Sequence, residues 1–151
     1  MADRKRTNPR KEARAAEAER HIADVERRLA PEVAASVAGI RTYGSTPASE
    51  PVLDDGAPRV PSVTVVDEDS VTAVLARGRG LASACDLAVL DFASFTSAGG
   101  GYARGAWAQE EALCAESTLY NVLATQKAWY AENRRRNINC ELYRNLSLIH
   151  I

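Results

Sequence analysis

At 151 residues the chain has the size of a single domain, long enough to bury a core. Hydrophobic residues make up 46% and charged residues 26%, a soluble globular balance that excludes fibrous and disordered classes. No apolar run approaches the ~18–20 residues of a spanning helix, and the start, MADRKRTNPRKEARAAEAER, lacks the apolar segment of a secretory signal, so a cytoplasmic protein without membrane contact is expected. The net charge of −1 argues against sequence-specific nucleic-acid binding, which needs a basic surface to neutralise phosphates. Cys85, Cys114 and Cys140 are odd in number and lack metal-ligand spacing, so they are expected to be reduced packing thiols, with no metal or cofactor implied.

Residues 1–30 hold nine Lys/Arg and six Asp/Glu, so this part carries +3 and the remainder −4. The two signs alternate, as on a solvated helix face. A helix is predicted over 9–29, with Ile22, Val25 and Leu29 forming a narrow stripe that Ala15 and Ala18 extend. Pro31 fits the first turn of a second helix, joined almost end to end to the first, with Val33, Val37 and Ile40 on its face and Gly39 as its C-terminal cap. Together these define a helical extension over 1–43. Four of the six prolines fall in the linker at 44–61, GSTPASEPVLDDGAPRVP.

From residue 62, SVTVVDEDS is a β-branched run whose acids can cap a helix starting near Ser70, with Val71, Val74 and Leu75 on its face and Gly78 and Gly80 ending it. DLAVLDFAS at 86–94 has the continuous apolar pattern of a strand buried on both faces. Strand, helix and strand suggest a parallel βαβ unit and an α/β class with helices covering a mostly parallel sheet. A glycine cluster at 99–101 follows, then a helical stretch from Arg104 to Arg136, broken near Asn121.

The informative segment is ASFTSAGGGYARGAWAQEEALCAESTLY, at 93–120. Gly99, Gly100 and Gly101 stand between a strand and a helix, where ligands bind in open α/β sheets. Without Cβ atoms they let backbone amides approach a diphosphate, although such turns also serve close packing alone. On a helical wheel Ala108, Ala112, Ala115 and Leu119 form the apolar stripe, Glu111 lies roughly 70–80° from its centre and Glu110 nearly opposite. A carboxylate at that boundary can serve as general acid and then general base on a sugar attached to the diphosphate.

LDFAS, GGGYARGAWAQEEALCAESTLY and WYAENRRRN together resemble the bacterial-type poly(ADP-ribose) glycohydrolase family of the macrodomain superfamily. The resemblance extends to about Asn145 and implies a three-layer α/β/α macrodomain-like fold behind an N-terminal helical extension. It also implies hydrolysis of the ribose–ribose O-glycosidic bond in poly(ADP-ribose), with ADP-ribose or its polymer, including that on ADP-ribosylated proteins, as partner. Glu111 is then the acid/base, Glu110 a ribose-binding neighbour and Gly99–Gly101 the diphosphate loop. Gln109 belongs to the same motif, and Tyr102 would pack over the ribose.

Asp91 stands where the family generally has asparagine, and Ser97-Ala98 where it has Asn-Pro, so an altered ligand affinity is expected. The family implies further strands, a second phosphate loop and an adenine pocket after this point. Residues 62–145 are accordingly the front part of a catalytic domain, and LSLIHI at 146–151 reads as a non-native tail. The alternatives are an ADP-ribose-binding module without turnover and an incomplete fragment without activity. His21 is expected to be solvated, Cys114 to pack, Trp107, Trp129 and Tyr130 to be core or interface, and Arg104 and Arg134–Arg136 to lie on the surface.

Overall fold

A computed structural model describes residues 8–43, 62–78, 87–138 and 147–149. Helix α1 runs from Pro9 to Arg28. Asn8 caps it by accepting from the Arg10 and Lys11 amides at 3.1 and 3.3 Å, with Pro9 in the first turn and Arg27 and Arg28 at the negative end of the helix dipole. Helix α2, Ala30–Gly39, follows after Leu29 alone, and the Val33 amide still reaches the Leu29 carbonyl, so the two are joined nearly end to end as expected. Gly39 is the last helical residue and Ile40 the extended cap, in place of the glycine cap expected there.

Strand β1, Arg41–Tyr43, pairs antiparallel with β2, Ser147–Ile149, with Thr42 opposite Leu148. The last residues assigned to the helical extension are therefore a strand, and the segment read as a tail supplies its partner. The linker at 44–61, Cys85 and Cys140 lie outside the described residues.

Helix α3, Ser70–Gly78, begins where the acidic run predicts. Asp69 accepts from the Thr72 amide at 2.9 Å and from its hydroxyl at 2.7 Å, and these bonds hold the Asp69 carboxyl below its ordinary range. The expected long helix is instead a 3-10 turn, Tyr102–Arg104, and three helices: α4, Gln109–Ala115; α5, Leu119–Ala124; and α6, Lys127–Ile138. The break does not fall at Asn121, which is buried inside α5 and donates to the Ile22 carbonyl of α1 at 3.2 Å. It falls where hydroxyls compete for the backbone. Ser117 Oγ donates to the Leu113 carbonyl and accepts from the Leu119 amide, and Thr125 Oγ1 donates to the Val122 carbonyl.

The βαβ expectation is not realised among the described residues. Residues 62–66 and 87–94 carry no ladder, and the one sheet is β1–β2. Val63, Val65, Leu90 and Phe92 are exposed, opposite to a strand buried on both faces. Such a strand needs neighbours at both edges and helices on both faces. Here the backbone near 90–94 is met by side chains of α4.

The buried residues lie where α1 crosses the turn before α4: Ala18, Tyr102 and Cys114 form one cluster, with Ile22, Leu119 and Tyr120 packed on it. Val122, Leu123 and Tyr130 extend the interior beneath α5 and α6. Among the described residues no helix is long and apolar enough to cross a membrane.

Candidate active site

Two turns bring the motif residues together. Gly99 and Gly100 have φ of +59° and +56°, the left-handed region open to glycine, so the chain doubles back over the start of α4. The crossing is close. A Cβ on Gly100 would stand 2.6 Å from Glu111 Oε1 and 2.9 Å from Glu110 Oε2, and one on Gly101 would stand 2.5 Å from the Ala106 Cβ. The absent side chain at Gly100 is what lets both carboxylates lie beneath the loop.

Both acids are buried, Glu110 at 4% and Glu111 at 7% exposure. The wheel placed Glu110 on the solvent side. The segment from Leu90 to Gly101 covers that side, which an isolated helix cannot reveal. Both acids are held by backbone amides. Glu110 Oε2 accepts from Ser94 at 2.7 Å, and Glu111 Oε1 from Gly101 at 2.8 Å. Glu110 Oε1 is buried with no hydrogen-bond partner among the described residues, and so is Asp91 Oδ1.

Burial, chiefly, pushes the Glu110 carboxyl up to about 7; the Asp91 and Glu111 charges add to this, while the Ser94 and Gly99 amides oppose it. Burial and the Glu111 charge raise Asp91 as well. Among the described residues no group of three His, Cys, Asp or Glu side chains could hold a metal ion.

Several expected site residues have other duties. Gln109 is not open to a ligand: its Oε1 accepts from the Phe92 amide at 2.7 Å, and its Nε2 donates to the Leu90 carbonyl and Ser70 Oγ at 2.8 and 3.0 Å. It ties the 90–92 segment to α4 and α3. The loop amides are also engaged, Gly100 with the Ser97 carbonyl, Gly101 with Glu111 and Tyr102 with the Gly99 carbonyl. A diphosphate cradle of free amides is therefore absent at Gly100, Gly101 and Tyr102, and the glycines serve close approach. Ser97 contributes its half-buried turn carbonyl.

The Tyr102 ring does not lie open for a ribose. It is buried in the cluster with Ala18 and Cys114, stacks at a tilt on Tyr120 with ring centroids 5.5 Å apart, and has its hydroxyl 2.8 Å from His21 Nδ1. His21 is correspondingly half-buried rather than solvated. Cys114 is fully buried, and burial pushes its thiol well up, as befits a packing residue.

Helix α6 grips the far side of the loop, a contact the sequence reading missed. The buried Asn133 donates to the Phe95 carbonyl at 2.9 Å and Arg134 to the Thr96 carbonyl at 2.7 Å. Arg135 and Arg136 pair with Glu132 in the last turns. Asn133 lies within WYAENRRRN, the third segment of the family resemblance, which is the signal that could have singled it out.

The chain as a whole is similar to a solved structure, which supports an α/β fold. That structure is the poly(ADP-ribose) glycohydrolase (PARG) from Thermomonospora curvata, with 32% identity and a TM-score of 0.58 over 83% of this chain and 50% of that one. The family model for the microbial-type PARG catalytic domain matches residues 10–150, and the chain belongs to that family. It spans about half the length of the Thermomonospora structure. No curated protein matches it.

Proposed function

We propose that the protein is a poly(ADP-ribose) glycohydrolase that cleaves the ribose–ribose O-glycosidic bond, with Glu111 as acid/base. One observation carries this reading: Glu110 and Glu111 are buried side by side directly beneath the Cβ-free surface of Gly100. Family membership and the solved relative support the substrate class. Glu111, steadied by the Gly101 amide, donates a proton to the glycosidic oxygen as the bond to the anomeric carbon breaks. It then takes a proton from the water that adds to that carbon, which restores the carboxyl group and releases a free ribose hydroxyl.

The unpartnered Glu110 Oε1 is the acceptor a ribose hydroxyl would satisfy, and its raised proton affinity limits the charge beside Glu111. Gly99–Gly101 form the wall against which the ADP-ribose unit lies. The substrate is the free polymer or the polymer carried on ADP-ribosylated proteins, in the cytoplasm.

Incubation with poly(ADP-ribose) is expected to release ADP-ribose, and Glu111→Gln to lower the rate by about 10²–10⁴-fold while leaving ADP-ribose binding intact. Release that survives the substitution overturns the assignment. Binding without release selects a module that holds ADP-ribose without turnover, the reading that Asp91 and Ser97-Ala98 favour as departures from the family pattern.

A further inference from the structure

Helix α1 hydrogen-bonds to the glycine turn at two points. Arg14 Nε donates to the Gly105 carbonyl at 2.9 Å, and His21 Nδ1 lies 2.8 Å from the Tyr102 hydroxyl. Seven positions separate Arg14 from His21, two helical turns, so both project from one face, with buried Ala18 between them against Tyr102. At Gly105, φ is +72°, and a Cβ there would collide with the Lys11 carbonyl oxygen of the same face. The 3-10 turn Tyr102–Arg104 is thus held at both ends by one helix.

Directly before this turn stands Gly101, whose amide holds Glu111 Oε1 at 2.8 Å. The two ends of the turn are themselves bonded, since the Gly105 amide donates to the Tyr102 carbonyl, and the Ala106 amide returns to the Gly101 carbonyl. A shift of Tyr102 or Gly105 is therefore passed to Gly101 through the backbone. The Tyr102 hydroxyl, pushed up to about 12 chiefly by burial, keeps its proton and can donate it to the imidazole.

We infer that Arg14 and His21 are positioning residues for Glu111: acting through Gly105 and Tyr102, they fix the turn that carries the Gly101 amide to the carboxylate. Helix α1 is then part of the catalytic apparatus rather than an appendage to it. The inference rests on the reading of Glu111 as acid/base. Its structural content, the coupling of α1 to the Gly101–Glu111 bond, can be read without substrate.

Tyr102→Phe keeps the ring in the core and deletes only the hydroxyl, so it tests the coupling without emptying the interior. It is expected to lower kcat by about 10- to 100-fold with KM within about two-fold, because the acid is misaligned while the binding surface remains. In the protein without substrate, amide exchange at Gly101 should accelerate and the Glu111 carboxyl resonance should shift. His21→Ala should act alike. His21→Asn, which places an amide oxygen near the position of Nδ1, should restore both signals and the rate. Arg14→Ala should loosen the Gly105 end and add to the effect. Arg20→Ala, on the exposed face of α1, should change nothing.

Unaltered Gly101 exchange and an unaltered Glu111 resonance in Tyr102→Phe overturn the inference, whatever the enzyme assay gives. So does an effect of His21→Ala that His21→Asn fails to reverse. If no variant or parent releases ADP-ribose while the two signals still shift in Tyr102→Phe and return in His21→Asn, the coupling stands and the glycohydrolase reading falls.

Discussion

The turn at 99–105 and the segments at 62–66 and 87–92 are both rich in small or apolar residues, yet they end in opposite environments. The turn is held by α1 on one side, by α4 beneath it and, through Phe95 and Thr96, by α6 on the other. The β-branched segments expose Val63, Val65, Leu90 and Phe92. The difference lies in what each kind of element needs. A turn and a helix satisfy most of their backbone bonds locally and require only a face to pack on. A strand satisfies none of its own and acquires a fixed place only beside another strand. Gln109 shows the point in miniature, since its side-chain amide meets the Phe92 amide and the Leu90 carbonyl as a neighbouring strand would.

If the packed turn governs stability, its glycines are the places to break it. Gly105→Ala is expected to have the largest effect, about 4 kcal/mol or more, because the new Cβ meets backbone, the Lys11 carbonyl, at a φ that alanine resists. Chemical denaturation should show a lowered midpoint or the loss of a cooperative transition. Gly100→Ala should cost less, about 2–3 kcal/mol, since carboxylate side chains can retreat where backbone cannot. It should nevertheless abolish the proposed activity, because retreat takes Glu111 off the Gly101 amide.

A third test separates the regions by pH. Glu110 titrates near 4.5 when unfolded and near 7 when folded, so the folded chain binds more protons between those values. The favourable contribution is complete below about pH 4.5 and is lost as the pH rises through about 7, a decline on the order of 3 kcal/mol. Asp91, raised for the same reason, adds to it with the same sign. Glu132, held at about 2 by Arg135 and Arg136, acts in a separate window: its ion pairs support the fold above its ordinary value and fail as the pH drops through 2. Glu110→Gln should flatten the profile between pH 4.5 and 7 in denaturation curves and leave the acidic limb unchanged.

The helices were legible in the sequence because their signals are local: Asn8 and Asp69 as caps, Pro31 in a first turn, and alanine-rich runs. The pairing of the glycines with Glu110 and Glu111 was legible too, as a motif. What stayed hidden was set by contacts distant in sequence. Arg14 and His21 are polar members of the buried stripe that Ala18 and Val25 continue, and counting apolar residues alone passes over them. The resemblance alone points Tyr102 at the ribose, and its contact with His21 of α1, about 80 positions away in sequence, leaves no local signal. Composition points to one break near Asn121, whereas two fall at Ser117 and Thr125, whose hydroxyl bonds composition does not weigh.

The smallest effects on stability should come from the other region, and they sharpen the comparison most. Val65 is 92% exposed and Phe92 76% exposed, so their side chains already stand in water and removing them leaves no cavity. Val65→Thr and Phe92→Ser should therefore each change the unfolding free energy by less than about 0.5 kcal/mol. The same residues are exposed apolar side chains, as are Val63, Leu90 and Trp107, and exposed apolar area drives association once the concentration rises. Light scattering across a concentration series should show less association for the double variant than for the parent, at unchanged stability. A stability loss of 2 kcal/mol or more would instead mean that these side chains are buried in solution, and the contrast between the two regions would disappear.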